Sequence, residues 1–353
     1  MTHSIDPSPP PTTAGSSLAH PPFILDGTRT YHIEGIIGAG SFAHVYRARC
    51  VHNGLSRRVV LKVLNKPEYT ARLWEEGRVM GLLTHHGIPR IEGRLFIHGH
   101  PTLVMEYVPS VPLSMFVEAK MRFPANVALE IVAQVASAVT ELHELFDHDD
   151  TPTPLAHGDI KPDNIVLTPW GGVKLVDFGT VHAPASDVTD DIGTKRYLAP
   201  ERLQGCVRIE SDTYALGCVL CELITGKAPH PVDRYPSVPS LVYPQVSKLI
   251  AQSGCSDQDA IYELITWMLG DEEGYRPTAE EARAACRKLL LDIGPPNLFE
   301  WAIYRVQPLS PHRIAPLAGV TVREPLPITG VQQFQRWYLE KRARLLSWMG
   351  RQR

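Results

Sequence analysis

The chain has 353 residues, enough for two average domains or one large one, and its 44% apolar and 21% charged content are those of an ordinary globular protein. A net charge of -3 gives no basic footprint for nucleic acid, so a nucleic-acid role has no support. Six scattered cysteines are too few for a disulfide framework and fit a reduced, cytoplasmic protein.

Residues 1–27 are rich in Pro, Ser and Thr and lack the basic start and apolar run of a signal peptide. That composition buries too little apolar surface to offset its ordering entropy, and it reads as a disordered tail. From Thr30, "YHIEGII", "AHVYRARCV" and "RRVVLKVL" alternate with period two around a Gly-rich turn and an Asn-Gly turn, which predicts three consecutive antiparallel strands. "YTARLWEEGRVMGLLTHH" follows with Leu73, Glu76, Met80 and Leu83 at helical spacing, and "RLFIHG" and "PTLVMEYV" add two strands.

Beyond Pro109 and Pro112 the pattern turns helical, in "ANVALEIVAQVASAVTELHELF", "SDTYALGCVLCELITG" and "AIYELITWML". Cys218 and Cys221 form a C-x-x-C inside the second of these apolar runs, with no second pair nearby, and read as core rather than zinc or redox ligands. His85-His86 and His98/His100 lack the matched spacings of a metal site. Residues 293–330 are Pro-rich and poorly periodic. The final "VQQFQRWYLEKRARLLSWMGRQR" predicts a basic amphipathic helix, suited to packing on the protein's own lobes, on a partner or on an anionic membrane. No uninterrupted apolar run is long enough to predict a membrane span.

Three places carry chemistry. "IIGAGSFAHVY" puts Gly38 and Gly40 in a turn between strands, where backbone N–H groups can approach phosphate oxygens, although such a turn also serves a plain hairpin. Lys62 stands among apolar neighbours in the third strand; unless it snorkels to solvent it needs an anion, either Glu76 or a phosphate. "AHGDIKPDN" gathers an acid, a cation and a carboxamide in Asp159, Lys161 and Asn164, on a stretch whose Gly158 and Pro162 forbid regular helix.

"GAGSFAHV", the Lys of "VVLK", "HGDIKPDN", "DFG" at 177–179, "APE" at 199–201, "SDTYALG" and "YRPT" occur in the order and approximate spacing of the eukaryotic-type serine/threonine protein kinases. The chain resembles that family from about residue 29 to about residue 292, in the style of its bacterial members. The resemblance implies an α+β, bilobal protein-kinase fold. Residues 28–108 would form an N-lobe of a five-stranded antiparallel sheet plus one helix, and 109–292 a mainly helical C-lobe, with 293–353 as an extension. It also implies ATP as phosphoryl donor, with Mg²⁺ or Mn²⁺, and protein Ser/Thr hydroxyls as acceptors, the chain's own among them.

By the same resemblance Asp159 would take the hydroxyl proton, Lys161 would neutralise the γ-phosphate, and Lys62 with Glu76 would orient the α- and β-phosphates. Asn164 and Asp177 would hold the metal, and Thr194 would contact Asp159 and Lys161. Ile37, Val45, Val60 and Val166 would enclose adenine, with backbone groups of Glu106 and Val108, after Met105, at its edge. Gly38 and Gly40 would lie over the phosphates. Asp212 would anchor the backbone at His157 and Gly158, Glu201 and Arg276 would pair, and Met80, Ile91, His157 and Phe178 would stack into a spine joining the lobes.

Gly158 departs from the pattern, standing where most relatives have an Arg that pairs with a phosphorylated activation-segment residue. Activity is therefore expected not to depend strictly on phosphorylation of Thr180, Ser186 or Thr189. Ala43 replaces the third loop glycine. "HGD" also resembles small-molecule phosphotransferases, which are expected to lack Lys161 and "GTKRYLAPE". A pseudokinase scaffold would be marked by loss of Lys62, Asp159, Asn164 or Asp177, and all four are present.

Overall fold

The computed structural model describes residues 23–146, 149–180, 196–203, 206–229, 239–253, 257–270, 273–295 and 297–307. Strands β1 (Phe23–Asp26), β2 (Arg29–Ala39), β3 (Ala43–His52), β4 (Leu55–Leu64), β5 (Ile91–Ile97) and β6 (His100–Glu106) form one antiparallel sheet in the order β1-β2-β3-β4-β6-β5. Asn53 and Gly54 join β3 to β4 with φ of 49 and 75, the left-handed pair a tight hairpin requires. Alternation buries Tyr31, Tyr46, Ala48, Val59, Leu61 and Val63 with Leu95, Ile97 and Val104.

Helix α1 (Thr70–Leu82) lies against β5 and β6. Gly77 permits that approach, since a Cβ there would come within 2.7 Å of the Leu103 side chain. The expected five-stranded sheet gains a sixth strand in β1, which pairs from Phe23↔His32 to Asp26↔Arg29. Residues 23–26, expected in the disordered tail, thus belong to the N-lobe. Four residues are too short to show alternation, and only Gly27, in the Gly27-Thr28 turn, signals the hairpin.

The second lobe contains β7 (Val111–Pro112), α2 (Ser114–Glu118), α3 (Ala125–His143), β8 (Ile165–Leu167), β9 (Val173–Leu175) and α4 (Pro200–Leu203). It continues with α5 (Ile209–Thr225), α6 (Pro239–Ser253), α7 (Gln258–Met268), α8 (Ala279–Ile293) and α9 (Leu298–Arg305). Its axis is α5, buried from Ser211 to Thr225 and closed by Gly226 in the left-handed conformation. Cys218 and Cys221 lie inside this helix, where burial pushes both thiols up, Cys221 to about 12. Helix α3 is long and apolar enough to cross a membrane, yet 72% of that stretch is buried in the lobe.

The lobe does not stop at residue 292. Helix α9 falls in the stretch read as aperiodic, is capped by Asn297 Oδ1 accepting the Glu300 N–H at 3.0 Å, and buries Leu298, Trp301 and Ala302 in the main core. Its eight residues make only two turns, too few for a periodic signal. The basic helix expected in the last residues, and Thr194, Ser186 and Thr189, lie outside the described residues.

Candidate active site

A single cleft between the lobes is lined by every expected site residue except Thr194: Ile37, Gly38, Gly40, Val45, Val60, Lys62, Glu76, Glu106, Val108, Asp159, Lys161, Asn164, Val166 and Asp177. Register places them. Lys62 pairs with Val45 on one side and Leu103 on the other, which carries the ammonium from mid-sheet into the cleft. There Nζ donates to both carboxylate oxygens of Glu76 at 2.7 Å and to Asp177 Oδ1 at 2.8 Å. The contact with Glu76 was expected; the one with Asp177, 115 residues away, was not.

One ammonium faces two carboxylates. Burial draws Lys62 down, but Asp177 and Glu76 outweigh it and the net direction is up. The Lys62 ammonium holds Asp177 well below the usual carboxylate range. Asp177 also has φ of 65, an uncommon conformation for a residue with a side chain and one held by its surroundings.

The second half of the site is the loop 157–164. Asp159 Oδ2 accepts from Lys161 Nζ at 2.8 Å and from Asn164 Nδ2 at 2.9 Å, while the same Nδ2 donates to the Asp159 carbonyl at 2.8 Å. Asp212 reaches the loop from α5 as expected, accepting the N–H groups of His157 at 2.7 Å and Gly158 at 2.8 Å. Burial raises the Asp212 carboxyl, but hydrogen bonds from His143 and the loop prevail and leave it ionised. Thr180 Oγ1 donates to the His157 carbonyl at 2.7 Å, and Arg202 Nη2 to that of Gly158 at 3.1 Å.

One support ties this loop to the core, and a second fixes α4, whose Arg202 bonds the loop at Gly158. His157 and Phe178 meet edge to face at 4.9 Å beside the buried Met80, with Ile91 partly buried against the same core. Arg276 grips Glu201 through two donors, at 2.7 and 3.0 Å, and Ser211 Oγ adds a third bond at 2.7 Å.

Among the described residues no three His, Cys, Asp or Glu side chains converge as resident metal ligands. The donor set that is present suits a hard divalent cation sharing phosphate oxygens: Asp177 supplies a carboxylate, and Asn164 has its amide nitrogen engaged by Asp159, leaving its oxygen as the ligand end. Asp177, which the Lys62 ammonium keeps ionised, supplies the negative charge such an ion needs.

Sequence reasoning missed Arg72, Ser114, Val117, Glu118 and Arg202, which also line the cleft. Three of them sit on α2, which is too short for periodicity to mark. Arg72 Nε donates to the Gly179 carbonyl while its guanidinium lies 5.5 Å from the Phe42 ring of the glycine loop.

With fold and site in place, the chain belongs to the protein kinase family: the pattern described as "Protein kinase domain" matches residues 31–285. It is 34% identical over 236 residues to the serine/threonine-protein kinase PknB of Mycobacterium leprae, covering 63% of this chain and 36% of that protein. It is 33% identical over 209 residues to PrkC of Bacillus subtilis, covering 56% and 31%. The chain thus spans about a third of the length of these relatives. The crystal structure of the Mycobacterium tuberculosis PknI kinase domain superposes with a TM-score of 0.56 over 76% of this chain and 99% of that one; at 24% identity it speaks for the fold.

Proposed function

We propose that the chain is a bacterial-type serine/threonine protein kinase that moves the γ-phosphoryl group of ATP to Ser or Thr hydroxyls of proteins, its own among them. The observation that carries this reading is Asp159, whose carboxylate is held by Lys161 and Asn164 across the cleft from Lys62, Glu76 and Asp177. The acceptor oxygen attacks the γ-phosphorus, the bond to the β–γ bridging oxygen breaks with its electron pair leaving on ADP, and the hydroxyl proton passes to Asp159. Lys161 offsets charge on the transferred group, and Lys62, steadied by Glu76, orients the phosphates. Asp177 and Asn164 would hold Mg²⁺ or Mn²⁺, which would supply charge neutralisation at the phosphates.

Ile37, Val45, Val60 and Val166 pack the adenine ring, which the backbone of Glu106 and Val108 reads. A protein acceptor, rather than a small alcohol, is supported by Lys161 beside the acid. The need for ATP, with the buried thiols Cys218, Cys221 and Cys286, supports a cytoplasmic location for this domain. The catalytic unit runs from 23 to 306, wider than the expected 28–292.

The test is incubation of the purified chain with Mg-ATP and casein, with phosphosites mapped by mass spectrometry beside Asp159→Asn and Asp177→Ala. Phosphate on Ser or Thr with the wild type alone is expected. Nucleotide binding without any transfer would move the reading to a scaffold.

A further inference from the structure

We infer that α9 is a strap that fixes α2, and with it the acceptor side of the cleft mouth, and that Trp301 is its positioning residue. The inference rests on the kinase reading above for what the cleft mouth binds. It starts from the weakness of α2. Five residues cannot hold a helix by their own hydrogen bonds, and the N-terminus has no side-chain cap. Its place therefore depends on packing. Ser114, Val117 and Glu118 line the cleft, whereas Phe116 turns into the core with 7% exposure.

Phe116 is held by two rings. Phe123 meets it edge to face at 5.6 Å, and Trp301 lies 5.5 Å away. Trp301 also stacks on Phe123, at 4.5 Å and 28°. Phe123 is fixed to the axis of the lobe, because its N–H donates to the Leu223 carbonyl in α5 at 2.8 Å. Trp301 thus bridges a rigid residue and a short helix whose other ties are the Leu113 N–H bond to the Ile165 carbonyl at 2.9 Å and packing on β7 and residues 162–164.

The strap is itself anchored at both ends. Leu298, Ala302 and Val306 are buried, and Asn126 Nδ2 donates to the Pro295 carbonyl at 3.3 Å. Gly171 has φ of +77, and a Cβ on it would stand 3.0 Å from Phe299 N and 3.1 Å from Leu298 C, so the backbone of α9 rests on a position where a side chain would intrude. Helix α9 itself lies past residue 285, where the family match ends. The adenine walls Ile37, Val45, Val60 and Val166 belong to the β-sheets, while α2 follows β7 in the chain and ends at the exposed Glu118. The ligand that α2 meets is therefore the acceptor polypeptide rather than the base.

The experiment compares the full chain with Trp301→Ala and Trp301→Phe, reading KM for casein, KM for ATP and kcat, with hydrogen exchange of residues 113–119 followed in parallel. Expected for Trp301→Ala are a rise of about fivefold or more in casein KM, ATP KM and kcat within about twofold, and faster exchange in α2 than in α3. Trp301→Phe should restore most of both. A casein KM that does not move, or exchange in α2 that does not quicken, overturns the proposal, as does a change confined to ATP KM. If Trp301→Ala does not fold, Trp301→Leu serves under the same criteria. A wild-type chain that binds ATP but phosphorylates nothing would sink the kinase reading alone, and the exchange data would still decide the strap.

Discussion

Arg202 donates from Nη2 to the carbonyl of Gly158 at 3.1 Å, so a guanidinium from α4 covers the catalytic-loop residue that has no side chain. Gly158 has φ of +75, and a Cβ there would meet Arg202 Nη2 and the Thr180 carbonyl at 3.6 Å. Gly158→Arg is expected to destabilise by about 1–3 kcal/mol, from left-handed backbone strain and a second cation beside the first. In an Arg202→Ala background the same change should cost less. Urea unfolding of the two single variants and the double one measures that coupling.

Thr180 spends its hydroxyl on the His157 carbonyl at 2.7 Å. Thr180→Ala is expected to lower turnover by loosening the loop, and Thr180→Glu should not recover it, because an acidic group cannot donate to a carbonyl. Steady-state rates of both variants at saturating ATP decide this. Recovery by Glu would show instead that a phosphate works at this position.

The Glu201–Arg276 pair is buried and doubly bonded. Replacing either residue alone by a neutral one should cost about 3–5 kcal/mol, since the surviving charge remains inside without its partner. Denaturant midpoints of Glu201→Gln, Arg276→Met and the double variant should show the double losing less than the sum of the singles.

His157 is fully buried, and burial holds its imidazole below the ordinary value. The folded state therefore stays neutral where an unfolded histidine takes up a proton, below about pH 6.5, and the unfolded state binds more protons. Its contribution to stability is complete above that pH and shrinks as the pH falls. Unfolding free energies between about pH 5 and 8 should show a shallower slope for His157→Phe than for the wild type.

Much of the site is legible in the sequence because its chemistry is written in short local runs. "HGDIKPDN" holds Asp159, Lys161 and Asn164 close enough that one loop conformation settles their contacts, and strand alternation alone aims Lys62 into the cleft. What stays hidden is decided across the chain. Nothing near Gly158 announces Arg202, which lies 44 residues on, and nothing near Phe116 announces Trp301. Strand β1 and helix α9 are too short to carry a period, and each forms because a neighbouring surface completes it.

The reach of α9 also bears on where this protein can be cut. A fragment trimmed to 31–285 would end inside α8, discard Trp301 and lose the strand that covers the open side of β2. Both phenylalanines would then face water and one sheet margin would offer bare amides to its neighbours. Such a fragment should clump, and sluggish turnover measured on it would describe the scissors rather than the enzyme.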